Sequence, residues 1–212
     1  MPRTATSRRM PVKIKAAVAV AVLILPVMWT VDTIQRVRLQ NRLAPIASEI
    51  AGRQVGVRCP GWFGKLLSPG DTNAGVVSVD AEGRVADRTD LRARTCEELE
   101  AVIGGGRERE LACASRSTSC GDDVQRMAWA INTLAHESIH LRGILDEGIT
   151  ECYGVQYFAL AAQRLGVAPG QARNLAVLHW ETSRELLPPQ YVAADCGDGG
   201  PLDLRPDDPV WP

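Results

Sequence analysis

The chain's 212 residues leave room for one globular domain and an extension, and 45% apolar content excludes a chain disordered throughout. Arg3, Arg8, Arg9, Lys13 and Lys15 stand before residue 16 with no acid among them; taking these five from the net charge of -1 leaves the remaining chain at -6. So acidic a body argues against nucleic acid as a partner.

Residues 16–31 form an uncharged apolar run that, with its flanks, approaches the roughly 20 residues of a membrane span. The cations precede it, so the positive-inside rule places the N-terminus in the cytoplasm and everything after Val31 outside. Pro26 is tolerable in a membrane helix and Trp29 suits the outer interface. A cleaved signal peptide is the competing reading, but Met28-Trp29-Thr30-Val31-Asp32 offers no small-x-small site. The expected organisation is a basic cytoplasmic tail over 1–15, a transmembrane anchor over 16–35, a stalk over 36–53 and an extracytoplasmic domain over 54–212. The stalk should be helical and broken at Pro45.

Over residues 54–85, Val55, Val57, Val76, Val77, Val79 and Val85 roughly alternate around Gly-Trp-Phe-Gly, Ser-Pro-Gly-Asp and Glu-Gly-Arg turn signals, which predicts a small antiparallel sheet or hairpin. Thr95 is placed to cap a short helix over Cys96, Glu97 and Glu98 that stops at Gly104-Gly105-Gly106. A charged, Ser- and Cys-rich loop should follow, to residue 120. Asp122 then opens a helix in which Val124, Met127, Ala128, Ile131, Ala135 and Ile139 form an apolar stripe. That helix carries His136-Glu137-Ser138-Ile139-His140, two of the three histidines in the chain. Gly143 can end it in a left-handed cap. A second helix is expected from Ile144 to Leu165 and a third from Pro169 to Leu187, stopped by Pro188-Pro189. The tail from Asp195 should be irregular, anchored by Leu202 and Trp211. The whole reads as an α+β, mostly helical domain.

All six cysteines follow the apolar run, and their even number fits an oxidising compartment. Cys113 and Cys120 are near enough to close a small loop. Cys196 could pin the tail to Cys152 on the second helix, which leaves Cys59 with Cys96. No C-x-x-C pair points to thiolate ligation of a metal.

Residues four apart on a helix share a face, so His136 and His140 aim at one point, as the first two ligands of a tetrahedral Zn2+ must. Glu137 beside them can act as general base toward a water. The turn at Gly143 sets His140 opposite Glu147 and His136 opposite Glu151. One glutamate can ligate while the other accepts a ligand histidine's N–H. On these residues the pair of helices resembles the gluzincin group of zinc metallopeptidases, in which H-E-x-x-H is followed on a second helix by Asn/Asp-Glu-x-x-x-Asp. Asp146-Glu147-Gly148-Ile149-Thr150-Glu151 stands in that place, after a much shorter connection. The resemblance covers about residues 122–165. It implies a minimal zincin-like helical domain, Glu147 as third zinc ligand, Glu151 holding His136, and a peptide or protein substrate. The run Asp146-Glu147 to Glu151-Cys152-Tyr153 and the Cys-Gly-Asp-Gly-Gly tail are also similar to membrane-anchored actinobacterial proteins, a similarity that implies no activity.

His136 to Asp146 also fits H-E-x-x-H-x-x-G-x-x-D, the metzincin pattern, with Asp146 as the alternative ligand. That pattern needs a later methionine turn, and no methionine follows Met127. His179, Tyr153, Tyr157 or Tyr191 could donate a hydrogen bond to an oxyanion, or simply pack. Trp62, Trp129 and Trp180 read as core. No strand is evident beside the site. The reading from a different class is a non-catalytic cell-envelope module whose metal site is structural.

Overall fold

A computed structural model describes residues 12–61, 74–116, 120–208 and 210–212, with side chains from residue 24 onward. Trp62, two of the three expected turns between strands and most of the basic tail lie outside the described residues. So do the side chains of the first half of the apolar run. Among the described residues no helix is long and apolar enough to cross a membrane.

The first helix, α1 (Val12–Ala51), runs unbroken through Pro26 and Pro45. An interior proline costs a helix about 3 kcal/mol. Burial of Leu39, Leu43, Ile46, Ala47 and Ile50 on one side of α1 offsets that cost, at about 1.5–3 kcal/mol for each larger side chain. The stretch expected as a stalk is therefore part of the core from Leu39 onward.

Three strands follow among the described residues: β1 (Gly56–Arg58), β2 (Gly75–Val79) and β3 (Val85–Leu91), in the order β1-β3-β2. The sheet is mixed, which corrects the antiparallel expectation. β2 and β3 form an antiparallel hairpin, while β1 pairs with β3 in parallel. Alternating valines report a half-buried strand, but not the direction of its neighbour. β3 keeps only Thr89 and Leu91 buried, and its Asp90 pairs with Arg58 across the parallel register at 2.5 Å.

Next come α2 (Ala93–Ile103) and α3 (Glu108–Ala114), the latter where a loop was expected. Thr95 is not the cap of α2. It lies inside the helix, buried, and its hydroxyl donates to the Ala74 carbonyl at 2.8 Å, tying α2 to the start of β2.

The centre of the domain is α4 (Asp122–Leu141), nearly all buried from Met127 onward and packed by α1, α2, β2, β3, α5 (Glu147–Arg164) and α6 (Pro169–Ser183). Gly143, at φ +102°, makes the left-handed turn after α4. α5 starts at Glu147 rather than Ile144, because the Asp146 carboxylate caps it by accepting the Ile149 N–H at 2.9 Å. α6 ends at Ser183, short of Leu187, and the chain then makes a 3-10 turn over Pro189–Tyr191. The helices α4 and α5 approach closely at Gly154, where a Cβ would lie 3.2 Å from the His136 backbone.

The disulfides are Cys59–Cys96, Cys113–Cys120 and Cys152–Cys196. Gln156 also holds the tail, donating to the Leu202 carbonyl and accepting the Leu204 N–H, and Trp211 meets the Trp180 ring at 5.9 Å. Trp180 is only half-buried.

His179 is packed inside, stacked on Phe158 and edge-on to Trp129. Burial lowers its pKa from 6.5 to about 4, against a weaker opposing pull from Glu151. The folded pKa lies below the unfolded one, so the unfolded chain takes up a proton as pH falls below 6.5 while the folded chain stays neutral. Stability on this account is full above about 6.5 and declines toward pH 4, by about 3 kcal/mol over that window. Urea unfolding across it, in EDTA, should show His179→Leu losing about that much less stability than wild type. Parallel losses would remove His179 as the cause.

Candidate metal centre

Three side chains converge where α4 faces the start of α5. His136 Nε2 lies 3.1 Å from His140 Nε2 and 3.1 Å from Glu147 Oε2, and His140 Nε2 lies 3.3 Å from the same oxygen. A tetrahedral ion bound at about 2.0–2.1 Å holds its ligand atoms about 3.3 Å apart, so the triangle has the dimensions of one tetrahedral face. These three residues form a group able to hold a metal ion.

The protons decide what the triangle can do. His140 Nδ1 lies 2.8 Å from the Ile144 carbonyl, which can only accept, so Nδ1 carries the proton. His136 Nδ1 lies 2.8 Å from Glu151 Oε2 and donates to it in the same way. In its neutral form each ring therefore turns a bare Nε2 lone pair toward the Glu147 carboxylate. Three acceptors at this spacing repel one another unless a proton or a cation sits among them. Glu151 is itself fixed: its other oxygen accepts from Asn132 Nδ2 at 2.9 Å, and it is buried. Partners of this kind orient metal-binding imidazoles.

The electrostatics of the cation-free protein agree. Burial works against a charged His136, but its bonds to Glu147 and Glu151 outweigh that and raise its pKa from 6.5 to about 9. The same His136 bond holds Glu147 below the ordinary carboxylate range. The site thus retains a positive charge against its own burial.

Glu137, next on the helix, is buried under β2. A Cβ on Gly75 would fall 2.7 Å from Glu137 Cγ, so a side chain there would push the Glu137 carboxylate aside. Thr89 Oγ1 approaches Glu137 Oε2 at 3.4 Å. Burial raises the Glu137 pKa from 4.5 to about 7, with Glu147 adding to the rise and His136 opposing it.

The cluster opens into a cleft of about 610 Å³. Along α4 it is lined by Trp129, Thr133, His136 and His140, along β2 by residues 74–77 and Val79, and along the tail by Leu187, Pro188, Gln190 and Tyr191. A strand does stand beside the site. Of the donors considered from sequence, Tyr191 is in the cleft, its ring 5.7 Å from that of His136. Burial first, then Glu147, Glu137 and Glu151, raise its pKa, so the phenol keeps its proton. His179 and Tyr153 do not line the cleft, and Tyr157 is engaged with Arg142 instead. Asp146 serves as helix cap and is not in the ligand triangle. Asn132, Thr89 and the Ile144 carbonyl escaped sequence reading. Asn132 was the findable one, a polar residue one turn before His136 on the same face.

No protein-family profile, curated protein or solved structure matches this chain.

Calorimetric titration with zinc separates the two candidate carboxylates. Glu147→Ala should weaken binding by about 100-fold or more, and Glu151→Gln by about 10–100-fold through His136. Asp146→Ala should bind zinc as wild type does and lose about 1 kcal/mol of stability with its cap. The reverse ranking of Glu147 and Asp146 would sink the assignment.

Proposed function

We propose that the chain is a zinc-dependent peptidase that hydrolyses peptide bonds outside the cytoplasmic membrane. The observation that carries this reading is the trio of bare acceptor atoms, spaced as one tetrahedral face and opening onto a cleft. Two imidazoles and one carboxylate, with a fourth position open, are a donor set that zinc takes in catalytic sites. A zinc ion held there would supply a Lewis acid that polarises a carbonyl and makes a water more acidic.

The chain's own groups would do the rest. Glu137, buried beside the triangle, would accept the proton of the attacking water and return it to the leaving amine. Tyr191 donates to the developing oxyanion from beside His136. Glu151, held by Asn132, keeps His136 in the tautomer that presents Nε2. β2 has a partner on one side only among the described residues, so its outer edge offers backbone groups to an extended peptide.

The tether rests on the uncharged run at 16–31 and the cations before it. Ile24, Leu25, Val27, Met28 and Trp29 are exposed on α1, while Leu39 is already in the core. About 12 Å of helix separates Val31 from Leu39, so the domain would sit close to the lipid surface.

Metal analysis and peptide hydrolysis test the chemistry together. Glu137→Gln should keep zinc and lose about 10²–10⁴-fold in rate. Full activity in that variant refutes the mechanism. Carbonate extraction of membranes tests the tether: the full chain should stay in the pellet, and recovery in the soluble fraction rules the anchor out.

A further inference from the structure

Trp129 reads from sequence as core, yet it is only half-buried and lines the cleft. Its edge-on contact with His179, 5.0 Å between ring centroids, fixes the indole from inside the domain. Trp129, Thr133, His136 and His140 are spaced by four, three and four residues, so one face of α4 runs the length of the cleft. Trp129 stands seven residues before His136, about 10 Å along the helix axis. An extended peptide covers that distance in about three residues.

The tail completes this end. It leaves α6, whose His179 touches Trp129, and reaches Tyr191 beside His136. Leu187 and Pro188 lie between His179 and Tyr191 in sequence and line the same cleft as the indole.

We propose that the Trp129–Leu187–Pro188 end of the cleft is a subsite for one bulky apolar side chain. That side chain stands about three residues from the bond held at His136 and His140, on an extended peptide. The assignment rests on the peptidase reading and names its substrate class.

The test uses the full chain carrying Glu137→Gln, loaded with zinc, so that binding is read without hydrolysis. Labelled peptides differing at one position, Phe, Leu, Gly or Asp, are titrated by fluorescence anisotropy. The Phe and Leu peptides should bind about tenfold or more tightly than the Gly and Asp peptides, as burial of one apolar side chain implies. Adding Trp129→Ala should erase the preference, with circular dichroism and zinc content reporting that the fold survives. Leu187→Asp, a change on the tail that leaves α4 packing alone, should erase it as well and decides the matter if Trp129→Ala does not fold. Equal binding of the Phe, Gly and Asp peptides overturns the subsite, as does a preference that persists in the folded variants. Wild-type protein that prefers the Phe peptide but never cuts it leaves the subsite standing and removes the peptidase reading alone.

Discussion

Two imidazole protons govern the cleft. The one on His140 Nδ1 is committed to the Ile144 carbonyl, and the one on His136 Nδ1 to the Glu151 carboxylate. Were either free to move to Nε2, the rings could satisfy each other with an ordinary N–H···N bond across their 3.1 Å separation. With both committed, the triangle has no donor of its own until a further proton or a cation enters it. The Ile144 carbonyl is in reach because α4 stops at Leu141 and Gly143 turns the chain back over the last histidine. Thr150 donates to the same carbonyl at 3.1 Å and steadies it from α5. A helix stop, one left-handed glycine and one threonine thus set a tautomer.

The second requirement is a short distance between helices. Glu147, Glu151 and Gly154 are spaced by four and three residues and share the face of α5 turned to α4. Gly154 lets the backbones close, and the two glutamates then reach the histidines instead of pointing past them. Asp146 contributes by fixing where α5 begins, since its cap places Glu147 in the first turn. Carboxylates there also meet the positive end of the helix dipole, which favours their ionised form.

This explains which parts were legible in the sequence. The pairing of His136 and His140, and the mirrored Glu147 and Glu151, follow from helical period and a turn at glycine, both local rules. The cysteine pairs were legible only in part: the spacing of Cys113 and Cys120 favours a small loop, but sequence alone does not choose among the pairings of six cysteines. What failed was non-local. β1 pairs in parallel because a long excursion returns the chain on the same heading, and no property of Val55 or Val57 encodes that. α3 was hidden by charged residues that read equally well as loop. Trp129 looked like core because an apolar residue on a buried helix usually is. It lines a cleft whose wall also takes in Leu187, Pro188, Gln190 and Tyr191, distant in sequence and followed by a tail that Cys196 and Gln156 hold to α5.

The cost of this arrangement bears on whether the metal would serve folding or chemistry. Burying Glu137, Glu151 and two histidines together opposes folding, since each charge loses its water. The cation-free chain meets the cost by raising the pKa of His136 and of Glu137. A small domain that needs a metal to fold has little else to hold it. This one has a continuous apolar core from Leu39 in α1 to Leu178 in α6, and three disulfides that join β1 to α2, α3 to the start of α4, and α5 to the tail. None of those supports passes through the histidines. A fold already secured can carry a strained polar cluster at a net loss of stability, and such losses concentrate where a ligand is to be bound or turned over. Glu137 makes the same point more sharply. It completes no ligand set, it is buried at a cost, and it occupies the space beside the bare Gly75 of β2. A purely structural ion would need the three ligands and gain nothing from this fourth group.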